Sequence, residues 1–142
     1  MLKIKSEQIT EHFTHDFTVT IATETLPIVG VVKGRYKRVP EQEFKALQVE
    51  AQKATNGLLN VRRDADDEDA ERVDIAAMDA IHDKINQEFL VGIIGIDVDG
   101  KELNAVDGKE WAFKNHPYSF KSVASDAFFA GYRGSKAKNA KK

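Results

Sequence analysis

From Phe89 to Leu103 the chain reads Phe-Leu-Val-Gly-Ile-Ile-Gly-Ile-Asp-Val-Asp-Gly-Lys-Glu-Leu. A helical apolar pattern runs into this stretch, two glycines interrupt it, and an acidic Asp-Gly turn closes it. Upstream, Ile75, Met78, Ile81 or His82, Ile85 and Phe89 recur on one helical stripe, while Asp74, Lys84 and Glu88 lie off it. A helix is therefore expected from about Glu68, ended or bent by Gly92 and Gly95. Asp97 to Gly108 then reads as turn-rich. No catalytic motif has this form.

The N-terminal third has the other periodicity. Phe17, Val19 and Ile21 alternate with Thr18 and Thr20, which gives a strand one apolar and one polar face. After the Glu24-Thr25-Leu26-Pro27 turn, Ile28, Val32 and Tyr36 fall on one face, and Val29, Val31, Lys33, Arg35 and Lys37 on the other. The two runs predict an antiparallel hairpin, with room for a third strand from the N-terminal segment.

Pro40 opens a helix expected over residues 41–55, with Glu41 and Glu43 near its positive end and Asn56-Gly57 as its stop. Trp111 to His116 reads as a short strand or an irregular connection. A last helix follows Pro117, with Phe120, Val123, Ala127, Phe128 and Tyr132 as its apolar positions. Residues 135–142 contain no apolar side chain larger than alanine and read as a flexible basic tail. The expected architecture is α+β: an N-terminal antiparallel β-hairpin or small sheet, then about three helices, in a single domain over 1–134.

Composition removes several function classes. With 21 basic and 23 acidic residues the formal charge is −2, whereas a general nucleic-acid binder carries a positive excess. Cysteine is absent, so thiolate nucleophiles, thiolate metal sites and disulfides are excluded. The longest apolar stretch, Phe89 to Ile96, is too short for a membrane span and contains two glycines. The N-terminus lacks the apolar run of a signal peptide, so the chain is expected to act in the cytoplasm where it is made.

The remaining chemistry is thin. Asp64, Asp66, Glu68 and their neighbours suggest a calcium loop, but its sixth and twelfth positions hold Asp69 and Ile75 in place of Gly and Glu. Asp66, Asp67 and Asp69 read instead as a solvated acidic patch able to steer a basic partner. His12 and His15 have metal-ligand spacing on a helix, but this segment borders a strand, where residues three apart face opposite ways. Ser119, Ser122 and Ser125 follow helical spacing and read as capping or solvent-facing positions, with no Gly-x-Ser-x-Gly elbow around them. No catalytic residue, metal site or cofactor is expected. Lys33, Arg35 and Lys37 form a basic strand face that reads either as a phosphate contact or as an edge strand protected by charge.

Gly34 to Leu47 (GRYKRVPEQEFKAL), Phe89 to Gly92 and Asp97 to Leu103 together resemble the tail assembly chaperones of long-tailed phages and prophages. That family has a basic, aromatic strand end followed by a helix, a charged middle, an apolar Gly-containing run, an acidic turn and a final helix. The resemblance spans roughly residues 17 to 134. It implies a non-catalytic protein of the host cytoplasm that binds the tape measure protein and recruits tail tube subunits, with self-association left open. Ile93, Ile94 and Ile96 with Phe128 and Phe129 are the partner-binding residues expected on that reading, with Lys33, Arg35, Lys37, Asp66, Asp67 and Asp69 as electrostatic contacts. Two other functions stay in competition: a nucleic-acid-associated phage accessory protein, and a small metal-dependent or carboxylate enzyme.

Overall fold

The computed structural model describes residues 1–5, 11–63 and 68–134, with side chains described outside 58–74. The expectations for the tail and for Asp66, Asp67 and the Asp69 side chain lie outside what is described.

Alternation is realised as anticipated in the first two strands. β1 (His12–Ile21) and β2 (Ile28–Lys37) pair antiparallel, with Phe17 opposite Val32 and Phe13 opposite Tyr36. Phe17, Val19, Val32 and Tyr36 are buried, while Thr14, Thr18, Thr20, Val29, Val31, Lys33, Arg35 and Lys37 are exposed. Among the described residues the third strand comes from farther along the chain than the N-terminal segment. It is β3 (Leu90–Ile94), which completes the order β1-β2-β3 and pairs antiparallel with β2. A bulge sits between Arg35 and Tyr36, which pair with Gly92 and Leu90 and leave Val91 as the extra residue.

The helical pattern upstream of the glycines therefore ends at Glu88, and the apolar run beyond it is strand. Two short strands, β4 (Asp97–Val98) and β5 (Lys101–Glu102), make a hairpin around Asp99-Gly100. Both loop residues have positive φ, 54° and 83°, as a type I′ turn needs, and the Asp97 carboxylate accepts from the Gly100 N–H at 2.8 Å.

Among the described residues there are four helices, where about three were anticipated. α1 (Glu41–Arg63) runs through Asn56-Gly57 without stopping, and α2 (Glu68–Glu88) starts where the periodicity begins. α3 (Ala105–Asn115) occupies the segment expected to be a turn followed by a short strand or connection. Its N-cap is Asn104, whose side chain accepts from the Asp107 N–H at 2.8 Å. α4 (Pro117–Tyr132) has Pro117 in its first turn, where a missing N–H costs nothing.

The residues gather into two compact units within the span expected of one domain. In the first, built from the chain up to Arg38 and from Asn86 onward, α4 lies against β1 and β2, and α3 lies along β3. A Cβ on Gly131 of α4 would stand 2.8 Å from His15 Cβ, so only glycine lets the helix come this close to the sheet. Phe128 is fully buried at the centre, stacked on Phe89 at 5.4 Å and close to Phe13 and Tyr36. Burying such a side chain contributes about 1.5–3 kcal/mol. The Tyr36 hydroxyl donates to the Ala124 carbonyl of α4 at 2.6 Å, which fixes helix to sheet. Ser125, anticipated at a capping or solvent-facing position, is fully buried because it sits one residue beyond Ala124 on the inward side of α4.

The second unit is Val39–Ile85, essentially the helices α1 and α2. Phe44, Leu47 and Ala54 of α1 are buried at spacings of three and seven, and Ile81 and Ile85 of α2 are buried one turn apart. Ile75, placed on the apolar stripe by its spacing, is instead 47% exposed.

Candidate partner-binding face

One side of the sheet carries the aromatic core, and the other stays open. The open side takes its residues from the alternate positions of each strand. β1 contributes Thr14, Asp16, Thr18 and Thr20, and β2 contributes Val29, Val31, Lys33, Arg35 and Lys37. β3 adds Ile94, which stands opposite Lys33 in the register. Val29, Val31 and Ile94 are 60%, 52% and 38% exposed; the two valines occupy one end of the β2 file, Lys33, Arg35 and Lys37 continue it, and Ile94 lies beside Lys33.

The electrostatics follow the pairing. Lys33 faces Asp16 across β1–β2, so that cation has an acid beside it. The Arg35 guanidinium approaches His12 Nδ1 at 3.4 Å. Lys37 sits at the sheet end, where its charge is felt by Lys109 of α3. Burial, and then the charge of Lys37, hold the Lys109 ammonium below the usual lysine range. Lys109 donates to the Leu90 carbonyl, which lies on the free edge of β3. Gly108 beside it lies so close to the Ile93 carbonyl that a Cβ would overlap the oxygen. Together these two residues bring α3 along an edge that would otherwise expose strand carbonyls.

The residues expected to bind partners separate on this framework. Ile93 is fully buried, Ile96 is 7% exposed and Phe128 is fully buried, so these three belong to the core. Their strand and helix neighbours turn outward instead. Ile94 is exposed on the open face, and Phe129 is half-buried with its ring edge against Phe128. Lys33, Arg35 and Lys37 come together with Ile94, as neither periodicity nor charge alone implied. Trp111 is half-buried beside the His116 ring at 5.3 Å. His12 and His15 point to opposite sides of the sheet, the first toward Arg35 and the second toward Gly131.

Lys109 is the residue that the sequence did not single out, and its one signal is a lysine following a glycine in a segment that resembles a turn. A separate concavity, lined by Ala54, Ala77, Ala80 and Ile81 among others, lies between α1 and α2. Among the described residues no group of three His, Asp or Glu is gathered closely enough to hold a metal ion. No helix of the described residues is long and apolar enough to cross a membrane. No family model matches the chain, and neither a curated protein nor a solved structure matches it.

Proposed function

We propose that the chain is a non-catalytic tail assembly chaperone that holds an amphipathic segment of the tape measure protein on the open face of its sheet and recruits tail tube subunits. The observation that carries this reading is the exposed file Val29, Val31, Lys33, Arg35 and Lys37 along β2, with exposed Ile94 beside Lys33. Such a face suits a partner whose apolar patch is continued by acids: apolar contact supplies affinity, and the cations set orientation and encounter rate. Of the segments that carry the family resemblance, Gly34 to Lys37 form the basic end of β2 and Leu90 to Gly92 begin the strand beside it.

A nucleic-acid reading draws on the same three cations. It is disfavoured by where the rings point. Phe17 and Tyr36 are buried on the helix-covered side, whereas single-strand binders offer aromatic rings for bases to stack on at the exposed surface.

The experiment is a tagged pull-down from cells producing the phage or prophage, with and without nuclease, using the natural chain and a Lys33→Glu/Arg35→Glu variant. Nuclease-insensitive recovery of a long helical tail protein and the tube subunit, reduced by the variant, supports the chaperone. Recovery of nucleic acid alone, or of no virion-assembly protein, overturns it.

A further inference from the structure

The β1–β2 hairpin outruns the third strand. β3 pairs with β2 only as far as Lys33, which stands opposite Ile94, and the chain then leaves at Gly95, whose φ is 102°. Residues 28–31 of β2 therefore have β1 on one side and, among the described residues, no strand on the other. Two backbone bonds fix which groups point to that open side. The Arg38 N–H donates to the Glu11 carbonyl, on the β1 side, at 2.7 Å, and the Lys37 N–H to the Phe89 carbonyl, on the β3 side, at 2.8 Å. In an antiparallel strand the N–H and C=O of one residue point the same way, and successive residues point opposite ways. The β1–β2 register runs unbroken from Lys37 back to Ile28. Even-numbered residues of β2 thus bond β1, while Val29 and Val31 turn their N–H and C=O toward the open edge.

This edge is apolar on both faces. Val29 and Val31 are 60% and 52% exposed on one, Ile28 is 60% exposed on the other, and the chain carries no charge from Leu26 to Val31. An uncharged edge with spare main-chain donors and acceptors is a template for another strand. We infer that it pairs with the same edge of a second copy, antiparallel about a twofold axis at Val29. The two Val29 residues then exchange both N–H···O=C bonds, and each Val31 N–H meets the Pro27 carbonyl of the other copy. Ile28 takes the closer, non-hydrogen-bonded position beside the other copy's Gly30, where a Cβ has nothing within 4 Å in the single chain.

The edge is its own complement, as an isologous contact requires. Adjacent registers fit less well. A twofold at Gly30 would send Ile28 of the other copy to the place opposite Val32, which Gly95 occupies: its Cβ would stand 3.7 Å from the Val32 Cα. A twofold at Ile28 sets Val29 against Pro27, which has no N–H to give. Charge also favours a second copy in this register. Each cation file begins at Lys33 and runs away from the axis, so the two lysines stand roughly 27 Å apart at about 3.4 Å per residue. That is well beyond the ~8 Å reach of screened charge. Valines meet while like charges stay apart.

None of this uses the tail-protein reading, and the test needs only the purified full chain. Sedimentation equilibrium should show a weak, reversible monomer–dimer equilibrium. The Val29 and Val31 amides should exchange with solvent more slowly as concentration rises. Val29→Lys sets like charges directly opposite each other and should raise the dissociation constant about tenfold or more. Gly30→Thr separates association from folding. Threonine suits a strand and has open space in the single chain, so the melting temperature at low concentration should hold or rise. In the pair its side chain fills the place of Ile28, and the dimer should be lost. A chain that stays monomeric at millimolar concentration, or a dimer that survives both substitutions, overturns the inference. So does slowed exchange that leaves Val29 and Val31 untouched.

Discussion

Lys33 stands directly opposite Ile94 across the β2–β3 pair, so a cation and an exposed apolar side chain share one patch. Ile93, one residue earlier, points the other way and is fully buried. This single step of strand alternation separates a surface residue from a core residue in an otherwise uniform apolar run.

Substituting the two neighbours should give opposite results. Ile93→Ala is expected to destabilise the fold by about 2–5 kcal/mol, as for other large-to-small core changes. Ile94→Ala should stay within about 0.5 kcal/mol. Chemical denaturation of both variants measures the contrast, and equal losses would show that the strand register is misassigned.

Reversing charge on the open face should spare stability and change association. Lys33→Glu with Arg35→Glu is expected to leave the melting temperature nearly unchanged, since both side chains are exposed. Capture of an acid-bearing partner should fall and lose most of its salt dependence, read by binding at two ionic strengths.

The strands with one open side were legible from the sequence because water and core impose different residue types on alternate positions. β1 and β2 show this in Thr18/Val19/Thr20 and in Lys33/Gly34/Arg35/Tyr36. β3 was not legible. Leu90, Gly92 and Ile93 are all buried, and a short apolar run buried on more than one side has no alternation to distinguish it from the end of a helix. α3 was hidden for a related reason. Gly108 follows an Asp and reads as a turn signal, yet it is glycine because the Ile93 carbonyl occupies the space of its side chain. The candidate face was half legible: its cations are visible in β2, but Ile94 joins them only through a pairing that spans the whole helical insertion.

Gly108→Ala tests that account. Helix propensity alone would favour alanine by about 1 kcal/mol. The Cβ would meet a backbone oxygen, which cannot swing away, so a net loss of about 1–3 kcal/mol is expected instead. A stabilised variant would show that α3 sits farther from the strand edge.

Tyr36→Phe removes the hydroxyl that donates to Ala124 and should cost about 1 kcal/mol at neutral pH. Burial, and then the charge of Asp126, push the Tyr36 phenol above the usual tyrosine range. The unfolded chain therefore ionises first as pH rises. The stability linked to this group is complete below the ordinary tyrosine value and is lost as pH climbs through the folded value. Denaturation midpoints above neutral pH should fall less steeply in the Phe variant.

Lys109 carries the opposite linkage. Its folded value lies below the ordinary one, so the unfolded chain holds its proton to higher pH. Between the two values unfolding takes up a proton, and stability rises with pH. The isotope-labelled lysine ε-methylene signal should titrate early at this position, and Lys109→Met should remove the rise.

The helical unit enters the chain between two strands that are hydrogen-bonded neighbours, with Tyr36 opposite Leu90 on either side of it. Pairing those strands from an open coil would mean closing a long, floppy loop, an entropic barrier that slows folding. An α1–α2 hairpin formed locally brings its two ends together beforehand. The excursion that most separates β2 from β3 in sequence then serves as the clasp that delivers one to the other.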